Sequence, residues 1–265
     1  MLFRSELKST RCFTGKPMDM GGTDYDREGI AGLGVSESAV TALKFEGAEA
    51  AGKTFAVQGM GAMGAAIVRY FGAAGGVLGA ISDPVVGGTY LLPKGASPAL
   101  IEAISSHRWE RTKELLAQEG EKAALDAVLY QPVDILFPAA VQEVVTTSNV
   151  EKIMAKRVVE GANNPCTAEA RTALSRRGVL VLPDFLVNAG GIIAAFVEMS
   201  STISPEENVR TRKNAEDAKR LTRQRMSANV AKALEIAKGS GVEPQVAARY
   251  LALTNIFGSS RSLAG

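Results

Sequence analysis

Residues 54–64 of this chain, TFAVQGMGAMG, restrict its possible folds more than any other stretch. Thr54 to Gln58 predict a short buried strand, and the residues after 64 have the apolar spacing of a helix. Between these two elements, Gly59, Gly61 and Gly64 form the pattern G-x-G-x-x-G. A strand, this glycine turn and a helix in succession are typical of a dinucleotide-binding βαβ unit.

Each glycine has a separate physical role in that interpretation. Gly59 permits a tight turn, Gly61 lets a pyrophosphate approach the backbone, and Gly64 allows the helix to pack closely on the sheet. The first N–H groups of the helix lack intrahelical partners and attract phosphates. Because glycine makes up 27 of the 265 residues, the triplet alone is a weak signal that needs support from the rest of the chain.

Composition argues against several other kinds of protein. Thirty Lys and Arg nearly balance 28 Asp and Glu, so no overall charge favours nucleic acid or an anionic membrane. Cys12 and Cys166 are far apart, which argues against a disulfide scaffold or a cysteine zinc site and fits a reducing cytoplasm. His107 is the single histidine, so histidine metal clusters and Ser–His–Asp chemistry lack the necessary residues. We expect no metal site.

Targeting and membrane signals are not expected either. The first ten residues, MLFRSELKST, lack the continuous apolar core of a signal peptide, which favours a cytoplasmic protein. Residues 54–82 contain a single charge, Arg69, and hydropathy alone could suggest a membrane span. Their seven glycines and strand–turn–helix–turn–strand rhythm instead predict a buried βαβ unit.

Strands alternate with helices through most of the chain. This alternation predicts an α/β fold with a Rossmann-like, doubly wound parallel sheet and helices at the C-terminus. The predicted strands are 54–58, 77–82, 133–137, 157–160 and 179–182. The predicted helices are 36–50 with Ser36 as its cap, 62–74, 98–119, 168–177 capped by Thr167, one beginning near 205, and 244–256.

We divide the chain into three segments. Residues 1–35 are predicted to form an N-terminal loop segment, because Gly and Pro are frequent from residue 11 onwards. Residues 36–204 form the predicted NAD(P)-binding Rossmann domain, and 205–265 a helical appendage that packs on it. Eleven of the 21 residues at 205–225 are charged, but interleaved acids and the lack of aromatics favour a solvated helix face over a nucleic-acid patch.

Polar or glycine-rich turns follow the predicted strands and are expected to meet at one sheet edge, where ligands bind. These turns are GMGAMG (59–64), PAA (138–140), GANNP (161–165) and NAGG (188–191). Asp83 lies 19 residues after Gly64, at the position of a carboxylate that binds a ribose hydroxyl, or else serves as a turn former before Pro84. Asn163 and Asn188 are either turn residues or hydrogen-bonding groups for a nicotinamide ribose or a substrate.

Five segments occur in an order that is typical of one enzyme family. They are TGKPMDMGGTDYDR (14–27), GKTFAVQGMGAMG (52–64), VDILFPAA (133–140), VVEGANNPCT (158–167) and VLVLPDFLVNAGG (179–191). From about residue 14 to its end, the chain resembles the C-terminal, cofactor-binding domain of the glutamate/leucine/phenylalanine/valine dehydrogenase family. The resemblance implies reversible, NAD(P)-dependent oxidative deamination of an amino acid to a 2-oxo acid and ammonia.

Positions that match the family's motifs receive roles from the resemblance. The glycines would bind pyrophosphate, Asp83 the adenosine ribose, and Ala139, Asn163 and Asn188 the nicotinamide half. NAD is the expected cofactor because Asp83 repels a 2′-phosphate, and NADP is the alternative. The full predicted cofactor-binding set is Gly59, Met60, Gly61, Ala62, Met63, Gly64, Asp83, Ala139, Ala140, Asn163 and Asn188.

Three departures from the family limit what this chain is expected to do. The family's catalytic lysine and aspartate lie in an N-terminal domain without a counterpart here, so we expect no catalytic residue in this chain. Ala31, within IAGLG at 30–34, replaces a threonine that would contact the nicotinamide amide. Ala195 replaces a serine that binds the side-chain carboxylate in glutamate-specific members, which predicts an apolar amino-acid substrate.

Several interpretations stay open at this point. The chain is a fragment of an amino-acid dehydrogenase, a naturally short dinucleotide-binding or regulatory protein, or a chain that receives its catalytic half from another polypeptide. A short-chain reductase is disfavoured, because no tyrosine has a lysine four residues later. The oligomeric state is open, since the family assembles largely through the N-terminal domain.

Overall fold

The computed structural model describes residues 13–258, so Cys12 lies outside the described residues. The strands are β1 (Thr54–Gln58), β2 (Val77–Asp83), β3 (Gly88–Leu91), β4 (Glu121–Ala123), β5 (Ile135–Pro138), β6 (Arg157–Val159) and β7 (Leu180–Leu182). The α-helices are α1 (Tyr25–Glu28), α2 (Ile30–Phe45), α3 (Ala62–Ala73), α4 (Pro98–Ser105), α5 (Trp109–Glu119), α6 (Ala168–Arg176), α7 (Asp184–Val187), α8 (Gly190–Ser200), α9 (Pro205–Thr211), α10 (Lys213–Ser240) and α11 (Pro244–Phe257).

The strands form one seven-stranded sheet in the order β4-β3-β2-β1-β5-β6-β7. The five strands predicted from the sequence, β1, β2, β5, β6 and β7, all pair in parallel. From β1 the chain proceeds outwards to β2 on one side and later to β5 on the other. The sheet therefore has a switch point between β1 and β5, and the predicted Rossmann-like fold is confirmed.

Both faces of the sheet are covered by apolar groups. One face packs Phe55 of β1 and Phe137 of β5 against Phe71 of α3, with ring centroids 5.1–6.0 Å apart and edge-to-face geometry. The other face buries Ala56 and Leu136 against α6 and the short 3-10 helices that precede β5 and β6. Edge-to-face aromatic contacts add to the stabilisation from the buried area itself.

The N-terminal part of the fold corrects one prediction. Residues 30–35 are helical, and α2 begins at Ile30 after Gly29, whose φ of +66° is left-handed, so a cap at Ser36 is wrong. The glycines that suggested a loop are needed for packing. A Cβ on Gly32 would lie 2.5 Å from the Cβ of Ala66 in α3, so the two helices can approach only because this side chain is missing.

Two further corrections concern the β2 edge of the sheet. The stretch between the predicted strand at 77–82 and the predicted helix at 98–119 contains β3, and β4 follows α5; neither strand is predicted, and both are antiparallel additions to the parallel sheet. The predicted single helix at 98–119 is two helices, because His107 between them has a left-handed φ of +52°.

Helices dominate the C-terminal part, as the sequence predicts. The helix expected from 205 is divided into α9 and α10 at Arg212, which has a left-handed φ of +55°. The long α10 packs on α2 and α8, and α11 packs on it in turn. Within residues 13–258, every helix is too short or too polar to span a bilayer. The boundaries of the three predicted segments remain a prediction.

Candidate dinucleotide-binding site

The glycine loop connects β1 to α3 at the switch point of the sheet. Gly59 has a φ of +96°, and a Cβ there would lie 2.8 Å from the Cβ of Ala140, which follows β5. A Cβ on Gly64 would overlap the carbonyl oxygen of Gly59. Both glycines are therefore required by the protein's own packing, whether or not a ligand binds.

Gly61 differs from its two neighbours in the motif. Its φ and ψ of −67° and −169° are open to any residue, and a Cβ there would meet nothing within 4 Å. No described side chain caps the N-terminus of α3, which begins at the exposed Ala62. The uncapped N–H groups and open space at Gly61 form the kind of surface that binds a phosphate.

Asp83 lies at the end of β2 and contacts the glycine loop directly. Its Oδ2 accepts the N–H of Met60 at 2.7 Å, and its Oδ1 accepts the N–H of Val85 at 2.8 Å. Each carboxylate oxygen retains a further lone pair for a ribose hydroxyl. The Met60 side chain is fully buried, so this residue contributes through its backbone and its packing.

An open cleft of about 720 Å³ lies beside this loop. It brings together six predicted site residues, Met63, Ala139, Ala140, Asn163, Asn188 and Ala195, although they come from four separate parts of the chain. Its other lining residues are Thr14, Tyr25, Val141, Gln142, Gly161, Ala162, Gly191 and Ile192. Among the described residues that line the cleft, none carries a charge.

Asn163 and Asn188 form a hydrogen-bonded pair at the cleft. The Nδ2 of Asn188 donates to the Oδ1 of Asn163 at 2.8 Å. This leaves the amide NH2 of Asn163 and the carbonyl oxygen of Asn188 for another partner. The pair therefore offers one donor group and one acceptor group.

Three buried charged residues beneath this pair were missed in the sequence. Glu160, after β6, is fully buried and binds Arg171 of α6 through two contacts of 2.7 Å. Arg171 also lies 3.8 Å from Asp184, which begins α7. Nearby, burial and the adjacent Glu160 raise the pKa of the Cys166 thiol, which keeps it protonated and therefore weakly nucleophilic. The signal in the sequence is an acidic residue one or two positions after each of two apolar strands.

A second polar cluster, the Glu198 junction, joins the N-terminal segment to α8. It consists of Glu198 with Gly15, Lys16 and Thr23. The carboxylate of Glu198 accepts the N–H of Gly15 at 2.9 Å and both the N–H and hydroxyl of Thr23 at 2.8 Å. Lys16 lies 3.8 Å from the same carboxylate. The junction holds residues 13–24 beside the cleft, where Thr14 forms part of the wall.

A comparison with known protein families identifies the family of this chain. Residues 21–262 match the family model described as glutamate/leucine/phenylalanine/valine dehydrogenase. The chain belongs to the glutamate/leucine/phenylalanine/valine dehydrogenase family. The resemblance seen in the sequence is thereby confirmed.

Individual members of the dehydrogenase family agree with this assignment. A glutamate dehydrogenase of Aeropyrum pernix is 42% identical over 200 residues, which are 73% of this chain and 46% of the relative. An NADP(+)-dependent glutamate dehydrogenase of Pyrobaculum calidifontis is 38% identical over 77% of this chain and 49% of its own length. The chain thus spans about half the length of these curated relatives.

A solved structure of the family shows the same fold. The hetero-hexameric glutamate dehydrogenase of Thermus thermophilus, in a leucine-bound form, superposes with a TM-score of 0.73 and 26% identity. The match covers 92% of this chain and 55% of that one.

Proposed function

We propose that this chain is the NAD(P)-binding part of an amino-acid dehydrogenase that deaminates an amino acid oxidatively to a 2-oxo acid and ammonia. The observation that carries the proposal is the open glycine loop at the switch point, with Asp83 bonded to it and the amide pair across the cleft. The relatives support the same chemistry, because both are named as glutamate dehydrogenases and one is named as NADP(+)-dependent.

The residues of the site fit a dinucleotide. The N-terminus of α3 and the open space at Gly61 would hold the pyrophosphate, and Asp83 would accept a hydroxyl of the adenosine ribose. Across the switch point, Asn163 and Asn188 would orient the nicotinamide half beside Ala139. The cofactor supplies hydride acceptance, while this chain binds it and orients it.

Acid–base chemistry is the part of the reaction that these residues do not supply. Forming and hydrolysing an imine requires a group that gives and takes protons. Among the described cleft residues, none is Lys, Asp, Glu or His. We therefore propose that a separate catalytic domain or chain completes the site, and that the chain alone is inactive.

We propose an apolar amino acid as the substrate. Ala195 lines the cleft, and Ile192 beside it in α8 is 76% exposed, so an apolar side chain would find an apolar wall. Glutamate is the competing substrate, because the named relatives are glutamate dehydrogenases. In an active assembly, Ala195→Ser should move the preference towards glutamate by about tenfold or more, since a hydrogen bond to a charged group contributes about 1.5–3 kcal/mol. Unchanged ratios of kcat/KM for leucine and glutamate would contradict this role of Ala195.

Cofactor titration tests the proposal most directly. Calorimetry of the 265-residue chain with NADH and NADPH should show binding, tighter for NADH because of the Asp83 carboxylate. A folded protein that binds neither cofactor would refute the assignment. With NAD and leucine, valine, phenylalanine or glutamate, the chain alone should form no reduced cofactor, and any formation would contradict the proposed second part. Binding without activity in every assembly tested would favour the alternative of a dinucleotide-binding regulatory protein.

A further inference from the structure

We propose that Asp184 is a positioning residue that holds the Asn163–Asn188 pair in place for the nicotinamide half of the cofactor. This inference rests on the proposed function. Asp184 is 8% exposed and begins α7, one residue beyond the end of β7. It does not line the cleft, so it would act through the two asparagines.

Asp184 contacts both turns that carry the amide pair. Its Oδ2 accepts the N–H of Asn164, next to Asn163, at 2.7 Å. Its backbone oxygen accepts the N–H of Asn188 at 2.9 Å. One residue therefore links the turn after β6 to the turn after β7, and so sets the separation across which the two amides meet at 2.8 Å.

The turn after β6 needs such an anchor. Asn164 has a left-handed φ of +47°, a conformation that non-glycine residues adopt at an energetic cost. The N–H of Asn164 donates to the Asp184 carboxylate, and this hydrogen bond stabilises the left-handed conformation. Without that acceptor, we expect the turn to relax and the Asn163 amide to move away from its partner.

Asp184 is itself positioned by two buried charged residues, Glu160 and Arg171. The Oε2 of Glu160 accepts the N–H of Asp184 at 3.0 Å, and Arg171 connects the two carboxylates. Two acids and one base in a buried cluster are costly for stability alone, because desolvation offsets much of their attraction. A positioning role accounts for the arrangement, since such a network fixes the groups it touches.

The test uses two probes of the same protein. NADH engages both halves of the site, whereas ADP has the adenosine ribose and pyrophosphate but no nicotinamide half. Asp184→Asn keeps the side-chain shape, but its amide has one acceptor oxygen for the N–H groups of Asn164 and Phe185. We expect NADH to bind about three- to tenfold more weakly and the affinity for ADP to stay within about twofold.

Asp134→Asn is the matched control. Asp134 is also a carboxylate that is mostly shielded from solvent and accepts a backbone N–H, from Thr54 at 3.0 Å, but it lies at the opposite end of the sheet. Its replacement should lower stability without changing either affinity. On an Asn188→Ala background, Asp184→Asn should have little added effect on NADH binding, because both changes disable the same pair.

The outcomes separate this inference from the proposed function. If the wild-type chain binds neither NADH nor ADP, the proposed function itself fails. If the wild-type binds both but Asp184→Asn binds NADH as tightly as wild type, Asp184 is not a positioning residue. Equal weakening of NADH and ADP would overturn the inference as well, because it would indicate general loss of structure.

Discussion

The glycine loop at 59–64 and the Glu198 junction are both polar, but the polar groups of the loop are open to solvent whereas those of the junction bond to each other. In the loop, the N-terminus of α3 is uncapped and Gly61 faces open space. In the junction, the carboxylate of Glu198 is fully enclosed and is saturated by the N–H groups of Gly15 and Thr23. Polar groups that face outward are available for a ligand, whereas those that face each other fasten one part of the chain to another.

The largest expected effect tests the junction. Glu198→Ala would leave the buried N–H and hydroxyl of Thr23 and the partly buried N–H of Gly15 without their acceptor. It would also remove the carboxylate that lies 3.8 Å from the ammonium of Lys16. We expect the free energy of unfolding to fall by about 3 kcal/mol, measured by urea denaturation, with the affinity for ADP unchanged. Glu235→Ala is the control, because Glu235 is an exposed residue of α10. Equal stability of the two variants would contradict the role of the junction.

A similar loss is expected at the tightest glycine of the loop. In Gly64→Ala, the new Cβ would overlap the carbonyl oxygen of Gly59, so α3 must move away from the sheet. Strain of this kind costs about 1–3 kcal/mol. Urea denaturation should show that loss, and calorimetry should show weaker ADP binding in the same variant. Wild-type stability in Gly64→Ala would contradict the packing explanation.

Gly61→Ala should separate binding from stability. Its Cβ would meet no atom of the protein within 4 Å, so the free energy of unfolding should change by no more than about 0.5 kcal/mol. A bound pyrophosphate would occupy that space, and ADP should therefore bind about tenfold more weakly by calorimetry. Wild-type affinity for ADP would show that the phosphates lie elsewhere.

The smallest expected effect depends on pH and concerns Glu28 of α1, which is 4% exposed. Burial would raise the pKa of Glu28, but Lys219, at 2.6 Å, together with Arg212 lowers it below the usual 4.5 on balance. A lowered pKa in the folded state means that the ionised group stabilises the fold above pH 4.5. This contribution is lost as the pH falls through the folded-state pKa.

The variant Glu28→Gln tests whether the ionised carboxylate of Glu28 stabilises the fold above pH 4.5. The difference in unfolding free energy between wild type and this variant should shrink as the pH is lowered below 4.5. Glu235→Gln, which replaces an exposed carboxylate of α10, is the control variant. A gap between wild type and Glu28→Gln that stays constant from pH 6 to pH 3 would contradict the ion-pair explanation.

The same contrast explains what the sequence could predict. The loop, β1 and α3 are contiguous, and even the bond from Met60 to Asp83 spans only 23 residues, so a motif reveals them. Thr54–Gln58 was predicted to the residue. The Glu198 junction joins residues 175–183 apart, and no local pattern marks Glu198 as different from the acids on solvated helices.

The wrong predictions have a related cause. The glycines at 29–34 predict a loop, but Gly32 allows a close contact between α2 and α3 that local sequence does not reveal. The antiparallel β3 and β4 are short and follow turn-forming residues, so their periodicity was too brief to recognise. In the site, Asn163 and Asn188 were predicted, but their direct hydrogen bond depends on where two strands end in space.

The separation within the Glu198 junction also has a consequence for biosynthesis. Gly15 emerges from the ribosome 183 residues before Glu198. At translation rates of about 5–20 residues per second, this interval lasts roughly 10–40 s. During that time the central strands can pair, whereas the N–H groups of Gly15 and Thr23 still lack the Glu198 carboxylate that accepts them in the folded protein. Residues 13–24 are thus synthesised early but form their hydrogen bonds to Glu198 late. Pulse-labelled proteolysis of nascent chains should find this segment cleavable until α8 has emerged.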